Sequence, residues 1–264
     1  YAFTDGTAAG TDAIRVGIIY KTSSVTPIGT PVALMASDFT DPNNTGTPKS
    51  RPALAQTFED NTWGERFTIV ANHLKSKGSC PTTIPLLDTD QSDGQGCWND
   101  TRQKAASYLV NTWLPTDPTA SGDPDFLVVG DLNAYRLEAP ITNIIGAGYT
   151  NLINTYAGGS AYGYLFDGQL GYLDHALSVA ALTSQVTGAT EWHINSDEVN
   201  LLDYNDTVQD PSEATFDAKP TATNLYNADA YRSTDHDPVL VGLDTLQHWL
   251  WSRIGAPQLE PELA

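Results

Sequence analysis

Five short apolar runs, each bounded by Gly, Pro, Asn or Asp, constrain this chain more than any other feature. They are IRVGIIY at 14–20, RFTIVANHL at 66–74, DFLVVGDLN at 125–133, YLDHALSV at 172–179 and PVLVGL at 238–243. Runs of this length, rich in β-branched residues and closed by turn formers, read as strands. Between the second and third, TRQKAASYLVNTWLP sets Ala105, Tyr108, Leu109, Thr112 and Trp113 at helical spacing, and Pro115 stops the pattern. A second helix is predicted over PITNIIGAG, with Pro140 near its first turn and a glycine at its end. Strands separated by such helices specify an α/β class, and no repeat, low-complexity tract or linker divides the chain. The polar, weakly periodic segment 188–232 is expected to form surface loops and short strands. The tail LQHWLWSRIGAPQLEPELA is expected to make an amphipathic turn or two before its prolines and then fray.

Chemistry-bearing residues collect where these runs end. In DFLVVGDLN, period-2 geometry delivers Asp131 and Asn133 to the same face at the carboxyl end of a strand. In YLDHALSV, Asp174 shares a face with Tyr172 and Ala176, so His175 points the other way. His73 is the last residue of the face carrying Phe67, Ile69 and Ala71, and Asp235 and His236 stand just before a strand that Pro238 is allowed to begin. Taken singly these residues have ordinary structural uses as strand-end hydrogen bonders and turn caps. Their ordered recurrence at strand ends is what suggests a site. His193 and His248 lack such a setting and are assigned to structure or surface.

Thirteen Lys plus Arg against 32 Asp plus Glu leave a net charge of -19. That balance argues against binding nucleic acid through a broadly basic surface, so a polyanionic substrate would need divalent cations or high salt. No apolar run approaches a membrane span, and the opening YAFTDGTAAG has neither the basic start nor the apolar middle of a signal peptide. Cys80 and Cys97 bracket an aperiodic polar stretch; a disulfide closing it would stabilise by about 3 kcal/mol and imply an oxidising compartment. Two free thiols are the alternative.

The ordered set, with the phrases DGQGCWNDTR, GYLDHAL, EWHINSDE and YRSTDHDPVLVGL, resembles the endonuclease/exonuclease/phosphatase superfamily with its DNase I-like fold. Within it the phrases are similar to those of secreted bacterial extracellular nucleases. The likeness runs from about Asp12 to Asp244. It implies a four-layered α/β/β/α sandwich and a divalent-metal-dependent nuclease acting on DNA, and on RNA in some cases, with little sequence preference. The implied cofactor is Mg²⁺, with Mn²⁺ or Ca²⁺ as alternatives. The resemblance implies that Asp131 orients or activates the attacking water and that Asn133 binds a phosphate oxygen. Asp235 belongs to the metal site, and His236, held by Asp174, sits on the scissile phosphate; His73 matches a second histidine. Arg102, Lys75 and Lys77 are the basic groups expected near flanking phosphates, solvated surface charge being their alternative reading.

In that superfamily a strand carrying a phosphate-site Asn and a metal-ligating Glu precede the strand that IRVGIIY resembles, and Glu59 and Glu65 lie in the wrong place to supply the Glu. Residues 1–244 are therefore expected to form about the carboxyl-terminal two-thirds of the domain, with 245–264 as a tail, and the missing part could be a separate piece. The competing expectations are a phosphoesterase of the same fold acting on small phosphates or phospholipids, and a non-catalytic remnant. Fold alone does not choose among them.

Overall fold

The computed structural model describes residues 1–6, 10–82, 86–198 and 230–246. The expectations for 199–229, for most of the tail and for His248 lie outside these residues.

Strands β1 (Ala2–Thr4) and β2 (Ile18–Tyr20) pair antiparallel, so only the end of IRVGIIY is strand. The scaffold is a six-stranded mixed sheet in the order β3 (Val25–Leu34), β4 (Ala53–Asp60), β5 (Arg66–His73), β6 (Phe126–Asp131), β10 (Asp174–Ser178), β7 (Thr150–Asn151). β3 and β4 are not foreseen by alternation. VTPIGTPVAL carries two prolines and a glycine, which a strand tolerates at a sheet edge, and its register slips between Ile28 and Val32. ALAQTFED is buried from Ala53 to Phe58, so no polar face betrays it. Its buried polar groups are satisfied internally: Gln56 Nε2 donates to Ile28 O at 3.0 Å, and the Thr57 and Thr68 hydroxyls lie 2.7 Å apart.

β5 and β6 are parallel neighbours, which obliges the chain to cross over between them. The crossover holds the Cys80–Cys97 disulfide and helix α2 (Asn99–Tyr108), which runs on through a wider turn at Leu109–Trp113. A short helix α1 (Ser37–Thr40) follows β3, and α3 (Ala139–Gly146) follows β6. Period-2 burial then assigns the two faces. Phe126 and Val128 pack with Leu109, Val110, Ile141 and Ile144 of the helical layer. Leu127 and Val129 pack with Leu152 and Ile153 of α4 (Leu152–Tyr156), and with Val186, Ala189, Val239 and Val241 of the antiparallel pair β11 (Val186–Glu191) and β12 (Val239–Leu243). Helix α5 (Ala180–Thr183) links β10 to β11. A hairpin of β8 (Tyr164–Phe166) and β9 (Gln169–Gly171) turns at Asp167-Gly168, both with positive φ, a two-residue turn that matches strand twist. Mixed sheets with flanking helices make this an α/β sandwich, and its helix, sheet and second-sheet layers are seen directly. Emptying one fully buried position, as in Ile144→Ala, would cost about 2–5 kcal/mol.

Candidate active site

The face of the main sheet that looks toward β11 and β12 carries residues 67, 69, 71 and 73 of β5, 127, 129 and 131 of β6, and 174 and 176 of β10. Register pairs His73 with Asp131 on the parallel side and Asp131 with Asp174 on the antiparallel side. Strand pairing therefore sets His73, Asp131 and Asp174 in one row across three adjacent strands. His236, three residues before β12, closes on the row: its Nδ1 makes a short hydrogen bond with Asp174 Oδ2. One ligand atom each from Asp131, Asp174 and His236 all lie within 4.8 Å of one another. The Tyr164 ring tilts against the His236 ring, centroids 4.5 Å apart, and the two backbones pair as an isolated bridge.

Local backbone makes the row possible. Gly130 has φ +114, and a Cβ there would stand 2.2 Å from Asn72 O on the neighbouring strand, so only glycine lets β6 come this close just before Asp131. Asn133 adopts the left-handed region at φ 49 and folds back: its backbone N–H donates to Asp131 Oδ1 at 2.7 Å. Its Nδ2 donates to Asp131 Oδ2 at 2.9 Å and to Leu74 O at 3.0 Å. Both amide hydrogens are thus engaged, and Asn133 orients Asp131.

Burial and mutual repulsion set the charges. Asp131 is pushed up to about 7, first by burial and then by the Asp174 charge. His236 goes the other way: burial opposes its charge, but the hydrogen bond and charge of Asp174, with Asp131 and Asp235 behind, raise it to about 9. Burial and the Arg51 cation hold His73 down at about 4, so it is neutral at pH 7, and its 3.5 Å approach to Asp131 Oδ2 is not an ion pair there.

One expected role is corrected. Arg102 is fully buried, its guanidinium donating to the carbonyls of Lys75, Cys97 and Gln95, so it braces the disulfide loop and cannot meet a substrate phosphate. Asp235 is exposed at the rim, and its charge reaches Asp131 and His236. Lys77 is taken up by Glu138. Cys80 and Cys97 form the expected bond. His175 is buried, with Nε2 2.8 Å from Ala134 O, as alternation requires.

Sequence reasoning missed Tyr164 and Asp237. The Asp-Gly turn in LFDGQL was a readable hairpin signal that would have placed Tyr164. Asp237 holds the EWHINS loop by accepting from the backbone N–H groups of Ile194, Asn195 and Ser196, from the Ser196 hydroxyl and from His193 Nδ1 at 2.8 Å.

No family model matches the chain, and no curated protein sequence matches it. Among solved structures it is similar to an endonuclease/exonuclease/phosphatase family protein from Bacteroides thetaiotaomicron, at 13% identity and TM-score 0.48, over 73% of this chain and 64% of that one. Further solved structures match at comparable similarity. They include the human Nocturnin catalytic domain with bound sulfate, at 15% identity and TM-score 0.42, over 64% of this chain and 52% of that one. A 3′ phosphatase from Neisseria bound to product DNA matches at 11% identity and TM-score 0.41, over 76% and 66% of the two chains. The chain thus spans 64% and 52% of the length of the first two structures.

Proposed function

We propose that this chain is a divalent-metal-dependent phosphodiesterase that hydrolyses DNA with little sequence preference, in an extracellular or periplasmic setting. The observation that carries the reading is the convergence of one ligand atom each from Asp131, Asp174 and His236 within 4.8 Å, at the strand ends in the middle of the sheet. The disulfide supports the oxidising compartment.

The donor set fits a hard divalent cation. Two carboxylates share a buried space, and Asp131 is pushed up first by burial and then by Asp174, a repulsion that a cation would relieve. Mg²⁺ prefers such oxygen donors and keeps several waters, with Mn²⁺ or Ca²⁺ as alternatives. Asp131 and Asp174 would hold it. When bound, the metal neutralises negative charge that develops on the phosphoryl oxygens.

The chain's own residues supply the rest. His236 carries a proton at neutral pH, donates Nδ1–H to Asp174 and presents Nε2–H to a phosphoryl oxygen. Asp131, steered by Asn133, takes a proton from the water that attacks phosphorus. The new P–O bond forms as the ester P–O bond breaks, and the leaving oxygen takes a proton from solvent.

Plasmid nicking with Mg²⁺, Mn²⁺ or Ca²⁺, against an EDTA control, tests the reading; cleavage should appear only with metal. EDTA-resistant nicking would reject the metal. Turnover of inositol phosphates or sphingomyelin without DNA would reassign the substrate.

A further inference from the structure

In a chain with 32 acidic and 13 basic residues, some cations find a carboxylate. Lys77 pairs with Glu138, Lys104 with Asp100, Arg66 with Glu59 and Arg51 with Asp12. Lys49 and Lys75 do not: among the described residues, neither has a carboxylate partner. Lys49 Nζ donates to Thr47 Oγ1, and Lys75 Nζ to Ser76 O, Ser76 Oγ and Gly78 O. Both ammonium groups are nevertheless gathered at one place, 5.2 and 5.1 Å from the Trp98 ring centroid.

The gathering is built. Trp98 sits in the left-handed region at φ 62, and its indole N–H donates to Gly78 O and Ser79 O at 3.0 Å, one residue from the Cys80–Cys97 bond. Such backbone strain persists only where the surroundings impose it, and it concentrates at functional sites. Burial and the nearby cations Arg102, Arg51 and Lys49 depress Lys75 to about 8, so the cluster is electrostatically unfavourable without an anion. The cluster also abuts the site. Arg51 N–H donates to His73 O at 3.0 Å and Lys75 N–H to Ser50 Oγ at 3.3 Å, which clips the Lys49–Arg51 segment alongside the end of β5.

We propose that Lys49 and Lys75, set about Trp98 by the disulfide loop, form a backbone-phosphate site for a polynucleotide strand that runs past the His73 end of the catalytic row. The proposal rests on the phosphodiesterase reading and extends it by naming where an extended substrate is held. Lysine serves here as a point charge for phosphate, which holds a strand without reading its bases.

The test is fluorescence anisotropy of a labelled single-stranded oligonucleotide binding to the His236→Ala chain in Mg²⁺ across a salt series. Each phosphate contact contributes a slope of roughly -0.7 to log K against log salt on single strands, so Lys49→Gln with Lys75→Gln should flatten the slope by about 1.4. Lys49→Arg with Lys75→Arg should restore it, and Lys104→Gln, remote in role, should leave it alone. An unchanged slope in the double Gln variant, an equal loss with Lys104→Gln, or no measurable binding would overturn the proposal. Cleavage of the same oligonucleotide by the chain with His236 intact is followed in parallel. Its absence, with the slope change present, would overturn the catalytic reading and leave the phosphate site standing.

Discussion

His236 and Asp237 are neighbours in STDHDPV, and each completes a histidine–aspartate pair with a different partner. His236 Nδ1 meets Asp174 on β10, whereas Asp237 meets His193 Nδ1 in the EWHINS loop. What differs is the remaining valence of the carboxylate and the ring. Asp237 has 0% of its side chain exposed and gives its oxygens to three backbone N–H groups and a hydroxyl besides His193, which pulls its pKa down against the effect of burial. Asp174 keeps 25% of its side chain exposed and stands beside a second carboxylate. The same two side chains thus make an anchor where backbone donors close the carboxylate, and a reactive pair where a neighbouring charge leaves it unsatisfied.

Breaking the two pairs should separate these roles. His236→Ala should lose about 10² to 10³ in the plasmid-nicking rate, the typical loss for one donor aimed at developing charge, with the urea midpoint little changed. A midpoint that falls with the rate would mean that this pair too is an anchor. Asp237→Ala should show the reverse at the level of the fold: it strands three backbone donors in a buried place, at about 3 kcal/mol in urea unfolding. Unaltered stability would show that water replaces the carboxylate and that the comparison is mistaken.

The sequence exposed the reactive pair more readily than the anchor, for a physical reason. Asp131 and His73 end apolar runs and Asp174 opens one, and period-2 alternation tells which neighbours share each residue's face within its own strand. That His73, Asp131 and Asp174 stand side by side depends on the order β5-β6-β10, which is a long-range pairing that local pattern does not encode. Asp237 reads as one more polar residue before Pro238, because its partners are backbone N–H groups, which every loop possesses. β3 and β4 escaped for opposite reasons: prolines disguised an edge strand, and burial on both faces removed the alternation from its neighbour. Arg102 was misjudged because charge suggests surface, while its guanidinium is spent on three loop carbonyls.

The pH response sharpens the reactive half of the comparison. The His236 pKa is raised from the ordinary 6.5 to about 9 by Asp174, against the effect of burial, so the ring stays protonated at neutral pH and loses its proton as pH rises through about 9. If the protonated ring serves the phosphate, hydrolysis should decline on an alkaline limb near pH 9. Asp174→Asn removes the charge that holds the proton, so the limb should move to lower pH while the protein stays folded. A limb that does not move would assign it to another group.

The smallest effect is expected at the anchor's outer member. His193 stacks on Tyr162 with centroids 4.1 Å apart and planes 4° from parallel, and 37% of its side chain is exposed. An ion pair or hydrogen bond at such exposure contributes about 0–1 kcal/mol, because water competes for both partners. Asp237 also keeps its three backbone donors and the Ser196 hydroxyl when the imidazole is removed. His193→Ala should therefore shift urea unfolding by no more than about 1 kcal/mol and leave the nicking rate within twofold. A rate loss approaching that of His236→Ala would make the second pair part of the chemistry, and the line drawn between residues 236 and 237 would have to be given up.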